Sequence, residues 1–134
     1  MITEDYSRFT GLTFDRFREL ARTPGLRHQE RIGFPNSYRE GKEPAIFADI
    51  LRKLPNLAKT SQTVLDIGPG CSDLPHLLLN HCRRQQYTLL LADSPEMLQL
   101  LPDSPEIRKY AGRFPRDCGS LLSEYAGRVD VILS

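Results

Sequence analysis

The chain lacks the marks of several large protein classes. No apolar run approaches the ~18 residues that a membrane span needs, and the acidic, polar start MITEDYSRFTG has neither the basic nor the apolar region of a secretory signal. Cysteine is scarce. Cys71, Cys82 and Cys118 are odd in number and far apart, which argues against a disulfide framework and for a reducing, cytoplasmic setting. His28, His76 and His81 fall in no Cys-x-x-Cys or His-Glu-x-x-His pattern, and His81 beside Cys82 points to a different helix face, so no metal is expected. Charge of one sign is also missing. The segment before Lys59 has ten Lys/Arg against eight Asp/Glu and the remainder eight against nine, for a net charge of +1. No basic arm or stripe exists to attract a nucleic acid, and no internal repeat or low-complexity segment is visible.

What is present is a change of rhythm near residue 59. Residues 1–58 read as a helical lead-in. Thr13 can cap a helix whose Phe14, Phe17, Leu20 and Ala21 share a face and which Pro24-Gly25 stops. GFPNSYREG (33–41) reads as a loop. A second helix opens at Glu43-Pro44 and carries the stripe Ile46, Phe47, Ile50, Leu51 and Leu54. Both stripes are expected to serve core packing.

From residue 59 to residue 134, short apolar runs alternate with helical patterns. TVLDI (63–67), YTLLLAD (87–93), IRKYAG (107–112) and RVDVILS (128–134) read as strands; 72–84, the run opened by Ser94-Pro95 and stopped by Pro102, and 119–127 read as helices. Strands apolar on both faces and separated by helices imply a doubly wound, mostly parallel α/β sheet of about four strands. The last strand runs to Ser134, so the domain is expected to be incomplete at that end, with an open sheet edge through which two copies could pair.

In such sheets ligands bind beyond the carboxyl ends of the strands. The first strand ends in the loop Gly68-Pro69-Gly70-Cys71-Ser72, where glycine lets a ligand approach the backbone. The helix behind it offers N–H groups that favour an anionic or carboxylate-bearing ligand. Asp73 stands where a dinucleotide fingerprint wants its third glycine, and its charge would repel a pyrophosphate. Asp66, inside the strand, suits a ligand with a positive group. Asp93 closes the second strand, where a carboxylate can accept both hydroxyls of a ribose or simply cap the next helix.

The tracts VLDIGPGCSDL (64–74) and LLLADSPEML (89–98) together resemble the class I, Rossmann-like S-adenosylmethionine-dependent methyltransferases. The resemblance covers residues 60–134. It implies that Asp66, Gly68, Pro69 and Gly70 line the methionine end of S-adenosylmethionine, that Asp93 holds the ribose, that Ser94 and Met97 flank the adenine and that Arg113 and Phe114 border its other face. Met97 and Phe114 serve equally well as core. The sequence departs from the family at Ser72, in place of a third glycine, and at Arg113, where many members have aspartate. The lead-in is similar to the family's variable helical cap, and Tyr38 and Arg39 stand in a loop that either reaches the cofactor carboxylate or stays solvated. The implied activity is methyl transfer, with S-adenosylhomocysteine as product, to an unidentified acceptor for which a small molecule is favoured. No residue is assigned as catalytic base. Two other readings stay open: a non-catalytic Rossmann-like binding or assembly module, and a nucleotide- or NAD-dependent enzyme, which Asp66 and Asp73 weaken.

Overall fold

The computed structural model describes residues 9–34 and 36–134. The lead-in forms α1 (Phe14–Arg22), α2 (His28–Arg31), α3 (Asn36–Arg39) and α4 (Glu43–Lys53), followed by a 3-10 turn at Pro55–Ala58. Thr13 caps α1 as its sequence position predicts, its Oγ1 accepting the Arg16 N–H at 3.1 Å. Two short helices were not expected. Within the 33–41 tract read as a loop, residues 36–39 close one helical turn, and α2 precedes it. Four-residue helices are too short to carry an apolar period, so pattern reading passes over them.

The second part alternates β1 (Thr63–Ile67), α5 (Asp73–Gln85), β2 (Thr88–Asp93), α6 (Pro95–Leu98), β3 (Ile107–Ala111), α7 (Gly119–Tyr125) and β4 (Val131–Leu133). The strands form one four-stranded sheet in the order β3-β2-β1-β4, every adjacent pair parallel. This is a mixed α/β fold consistent with a Rossmann-like doubly wound sheet. Two elements are shorter than the sequence suggests. Regular helix stops at Leu98, and i→i+3 bonds from Leu100 and Leu101 tighten the chain after it. β4 starts only at Val131; Asp130 before it pairs with Thr63 through both its backbone N–H and its carboxylate.

Side-chain alternation divides the core. Val64, Leu89, Leu91 and Val131 face the side covered by α4 and α5, where Phe47, Leu78, Leu79, Cys82 and Met97 join them. Leu65, Leu90 and Ala92 face α7 through Cys118 and Leu121. The lead-in thus shares one core with the sheet. His81 is buried: its Nε2 lies 2.7 Å from the Leu57 carbonyl, and the Phe47 and Tyr87 rings meet it edge-on. Its place on α5 faces the 3-10 turn, a contact that helical periodicity within α5 does not reveal.

The strand order has a functional consequence. From β1 the chain moves outward through β2 to β3 and then returns to the other side of β1 as β4. The reversal lies beside β1, so the crevice beyond the carboxyl ends of β1, β2 and β4 is the place where this architecture holds ligands.

Candidate functional site

A cavity of about 720 Å³ occupies that crevice, within the range of small-molecule and cofactor sites. Its floor comprises Asp66, Ile67 and the Gly68–Gly70 loop from β1, Ala92 and Asp93 from β2, and Leu133 and Ser134 from β4. Its roof comes from the lead-in: Phe14 and Phe17 on α1, Ile32 and Phe34 beyond α2, and Phe47 and Ile50 on α4. The stripes assigned to core packing therefore also wall the cavity.

The loop geometry follows from its glycines. Gly68 and Gly70 both adopt left-handed φ, +68° and +71°, which other L-residues take up only with strain. A Cβ on Gly68 would meet nothing within 4 Å, whereas one on Gly70 would stand 2.5 Å from Ile32 Cγ2. Gly68 thus leaves open space beside the loop, and Gly70 permits close approach of the lead-in. The turn then delivers the Gly70 N–H to Asp93 Oδ2 at 3.1 Å.

Asp93 is held on three sides. Oδ2 takes the Gly70 N–H, Oδ1 takes the Ser94 N–H at 2.7 Å, and the Asp93 carbonyl takes the Gly112 N–H at 2.9 Å. Burial pushes its carboxyl above the ordinary carboxylate range, and the two backbone donors act against that shift. Asp66 is different. It lines the cavity, its carboxylate accepts no hydrogen bond among the described residues, and that carboxyl is pushed up to about 7, by desolvation first and by the Asp93 charge second.

Ser94 caps α6, as its place before Pro95 implies: its Oγ accepts the Met97 N–H at 3.1 Å, and the residue is buried and does not line the cavity. Met97, Phe114, Arg113, Asp66, Gly68, Pro69, Gly70 and Asp93 do meet at the cavity. Arg113 lies over the Phe14 ring at 5.0 Å, with Nη2 3.5 Å from Asp15 Oδ2, and so ties the third strand end to α1. Arg39 lines the opposite side, 5.0 Å from the centre of the Phe34 ring and 3.1 Å from Glu43 Oε1, while Tyr38 lies exposed outside the wall.

The start of α5 also differs from the sequence reading. Ser72 occupies the N-cap position, yet its hydroxyl makes no capping bond. The Asp73 N–H donates instead to Glu43 Oε2 at 2.6 Å. Glu43 is completely buried. Sequence reading missed its role because a glutamate in the first turn of α4 already suits its own helix, and nothing local announces that the side chain serves another.

The enclosed part of the cavity therefore holds two carboxylates, with paired arginines at two sides and apolar surface between. Such a site fits a ligand that combines an apolar or aromatic part, hydroxyls and a positive group. Among the described residues no group of His, Cys, Asp and Glu has the arrangement to hold a metal ion, and no helix is long and apolar enough to cross a membrane. No protein-family model matches the chain, and no curated protein or solved structure matches it at a significant level.

Proposed function

We propose that the cavity binds S-adenosylmethionine and that the chain is a methyltransferase, or the cofactor-binding part of one, yielding S-adenosylhomocysteine. The observation that carries this reading is the pair of carboxylates, Asp66 and Asp93, on adjacent strand ends facing one apolar-walled cavity at the point of strand-order reversal.

The residues fit the group. Each Asp93 oxygen accepts one backbone N–H and keeps further acceptor capacity, the disposition needed for the two hydroxyls of a ribose. Asp66, whose carboxylate has no hydrogen-bond donor among the described residues and is pushed up to about 7, gains most from a neighbouring positive charge. Met97 and Phe114 give an adenine apolar surfaces, and the open space at Gly68 lets a ligand approach the backbone. S-adenosylmethionine supplies an activated methyl group when bound. The chain's contribution is orientation and dryness: Asp93 and Asp66 fix two ends of the ligand, and Phe14, Phe17 and Phe34 shield it from water.

A second reading, a non-catalytic binding module, draws on one observation. No histidine, cysteine, lysine or tyrosine stands among the described residues lining the cavity, so beyond the two aspartates little there can move a proton. Methyl transfer to an acceptor that needs no base tolerates this.

Calorimetric titration with S-adenosylmethionine, S-adenosylhomocysteine and NAD tests the reading. The expected outcome is saturable binding of the first two, with a Kd on the order of 1–100 μM, and none of NAD. Binding of NAD alone, or of none of the three by a folded sample, overturns it. Binding without turnover across a panel of acceptors would favour the module.

A further inference from the structure

The start of α5 holds an arrangement that the cofactor reading does not use. Three polar groups come together there from separate elements. Glu43, the first residue of α4, is fully buried and directs Oε2 to the Asp73 N–H at 2.6 Å. Its Oε1 lies 3.1 Å from Arg39 Nη2, without the alignment of a hydrogen bond. Ser72, also fully buried, has a hydroxyl oxygen with no partner among the described residues, and the Arg39 Nε is likewise buried without one among them.

Chemically, a helix N-terminal N–H, a hydroxyl and a guanidinium form an anion site. Here the anion is part of the chain. We infer that the N-terminus of α5 is an anion site filled from within, and that Glu43 is the residue that bars phosphate-bearing nucleotides from the glycine loop.

In dinucleotide-binding sheets the pyrophosphate sits on the N–H groups at the start of the helix after the first strand. On this chain the first of those N–H groups is already bonded to a carboxylate, by a contact short enough to be charge-assisted. A phosphate placed there would collide with Glu43 and add a second negative charge beside a buried one. Among the described residues, Arg39 is the one cation within ion-pair distance of Glu43, and it also lines the cavity. Removing the Glu43 carboxylate would leave Arg39, the Ser72 hydroxyl and the Asp73 N–H together with no anion between them. This inference does not depend on the identity of the cationic ligand, because it concerns what the loop refuses.

Melting curves of the full chain and of Glu43→Ala, with inorganic phosphate or pyrophosphate against chloride at equal ionic strength, test it. The wild-type melting temperature is expected to stay fixed. Glu43→Ala is expected to melt about 5–10 °C lower and to recover about 5 °C, saturably, when the anion is tenfold above its Kd. Adding Ser72→Ala should weaken that recovery several-fold. An anion effect no larger in Glu43→Ala than in the wild type overturns the inference. Should Glu43→Ala fail to fold, the amide resonance of Asp73 in the wild type decides: no shift with added pyrophosphate supports the filled site, and a saturable shift overturns it.

Discussion

The carboxyl ends of β1 and β2 lie side by side and carry the same side chain in opposite circumstances. Asp93 is gripped by the Gly70 and Ser94 N–H groups and through its carbonyl by Gly112. Asp66 stands one strand away, with no hydrogen-bond donor among the described residues and a carboxyl pushed up to about 7. Both are partly desolvated, so burial alone does not separate them. The difference is the loop, which donates to the aspartate on the neighbouring strand rather than to the one on its own. One strand end is a finished acceptor, and the other is poised between charged and neutral near pH 7. That asymmetry is what a ligand with hydroxyls at one end and a cation at the other would require.

Removing the finished acceptor should have the largest effect. Asp93→Ala leaves the Gly70 and Ser94 N–H groups without their carboxylate, at about 1–3 kcal/mol each where they stay buried. S-adenosylmethionine affinity is expected to fall at least about 100-fold by calorimetry, and the melting temperature to fall with it. Affinity within a few-fold of wild type would show that Asp93 serves α6 and the loop rather than a ligand.

The poised partner should respond in the other direction. For Asp66 the folded pKa lies above the unfolded one, so the native state binds more protons than the unfolded chain between them. The stability this gives is complete below the ordinary carboxylate pKa and is lost as pH rises toward about 7. Asp66→Asn removes that loss. The ligand-free variant should be more stable than wild type near pH 8 by about 1–3 kcal/mol in urea unfolding. Its affinity for S-adenosylmethionine should nonetheless drop about 10–100-fold. A substitution that stabilises the chain while removing its ligand sets a site residue apart from a packing residue.

The same ionisation should appear in the wild-type binding isotherm. A cation selects ionised Asp66, so affinity should rise about tenfold per pH unit below the Asp66 pKa and level off above it. Near pH 7 about half a proton should be released per ligand bound, measurable as a dependence of the heat on buffer ionisation enthalpy. Asp66→Asn should flatten both curves. A pH-independent wild-type affinity would place the positive group away from Asp66.

Most of the sheet and half of the site were readable from the sequence, for a common reason. A buried strand, the turn that ends it and the helix cap that follows are local, so TVLDIGPG and LLLADSPE signal their own geometry, and parallel pairing brings Asp66 and Asp93 to one end. The rest depends on contacts between distant segments. The aromatic roof came from stripes that look the same whether they face core or cavity. Glu43 reaches from α4 to the Asp73 N–H across 30 positions, and His81 reaches the Leu57 carbonyl across 24. Neither partner is implied by its own neighbourhood. Ser94 works locally: its Oγ caps α6 and its N–H holds the adjoining Asp93 carboxylate.

The finest test of the asymmetry leaves both aspartates in place. Gly70 donates to Asp93 because its left-handed turn brings the N–H within 3.1 Å, and its missing Cβ lets Ile32 close over it. In Gly70→Ala the left-handed φ costs about 1–2 kcal/mol, and the new methyl group, 2.5 Å from Ile32 Cγ2, must displace the loop or the lead-in. If the loop yields, Asp93 loses a donor and comes to resemble Asp66. Affinity for S-adenosylmethionine should fall only a few-fold, because the Ser94 N–H still holds Oδ1, but its pH dependence should steepen as a second carboxyl begins to titrate near the first. Adding Ile32→Ala relieves the clash and should restore the wild-type pH profile without restoring full stability. If the profile stays wild-type in Gly70→Ala itself, the lead-in has moved instead, and the Gly70 donor is not what separates the two strand ends.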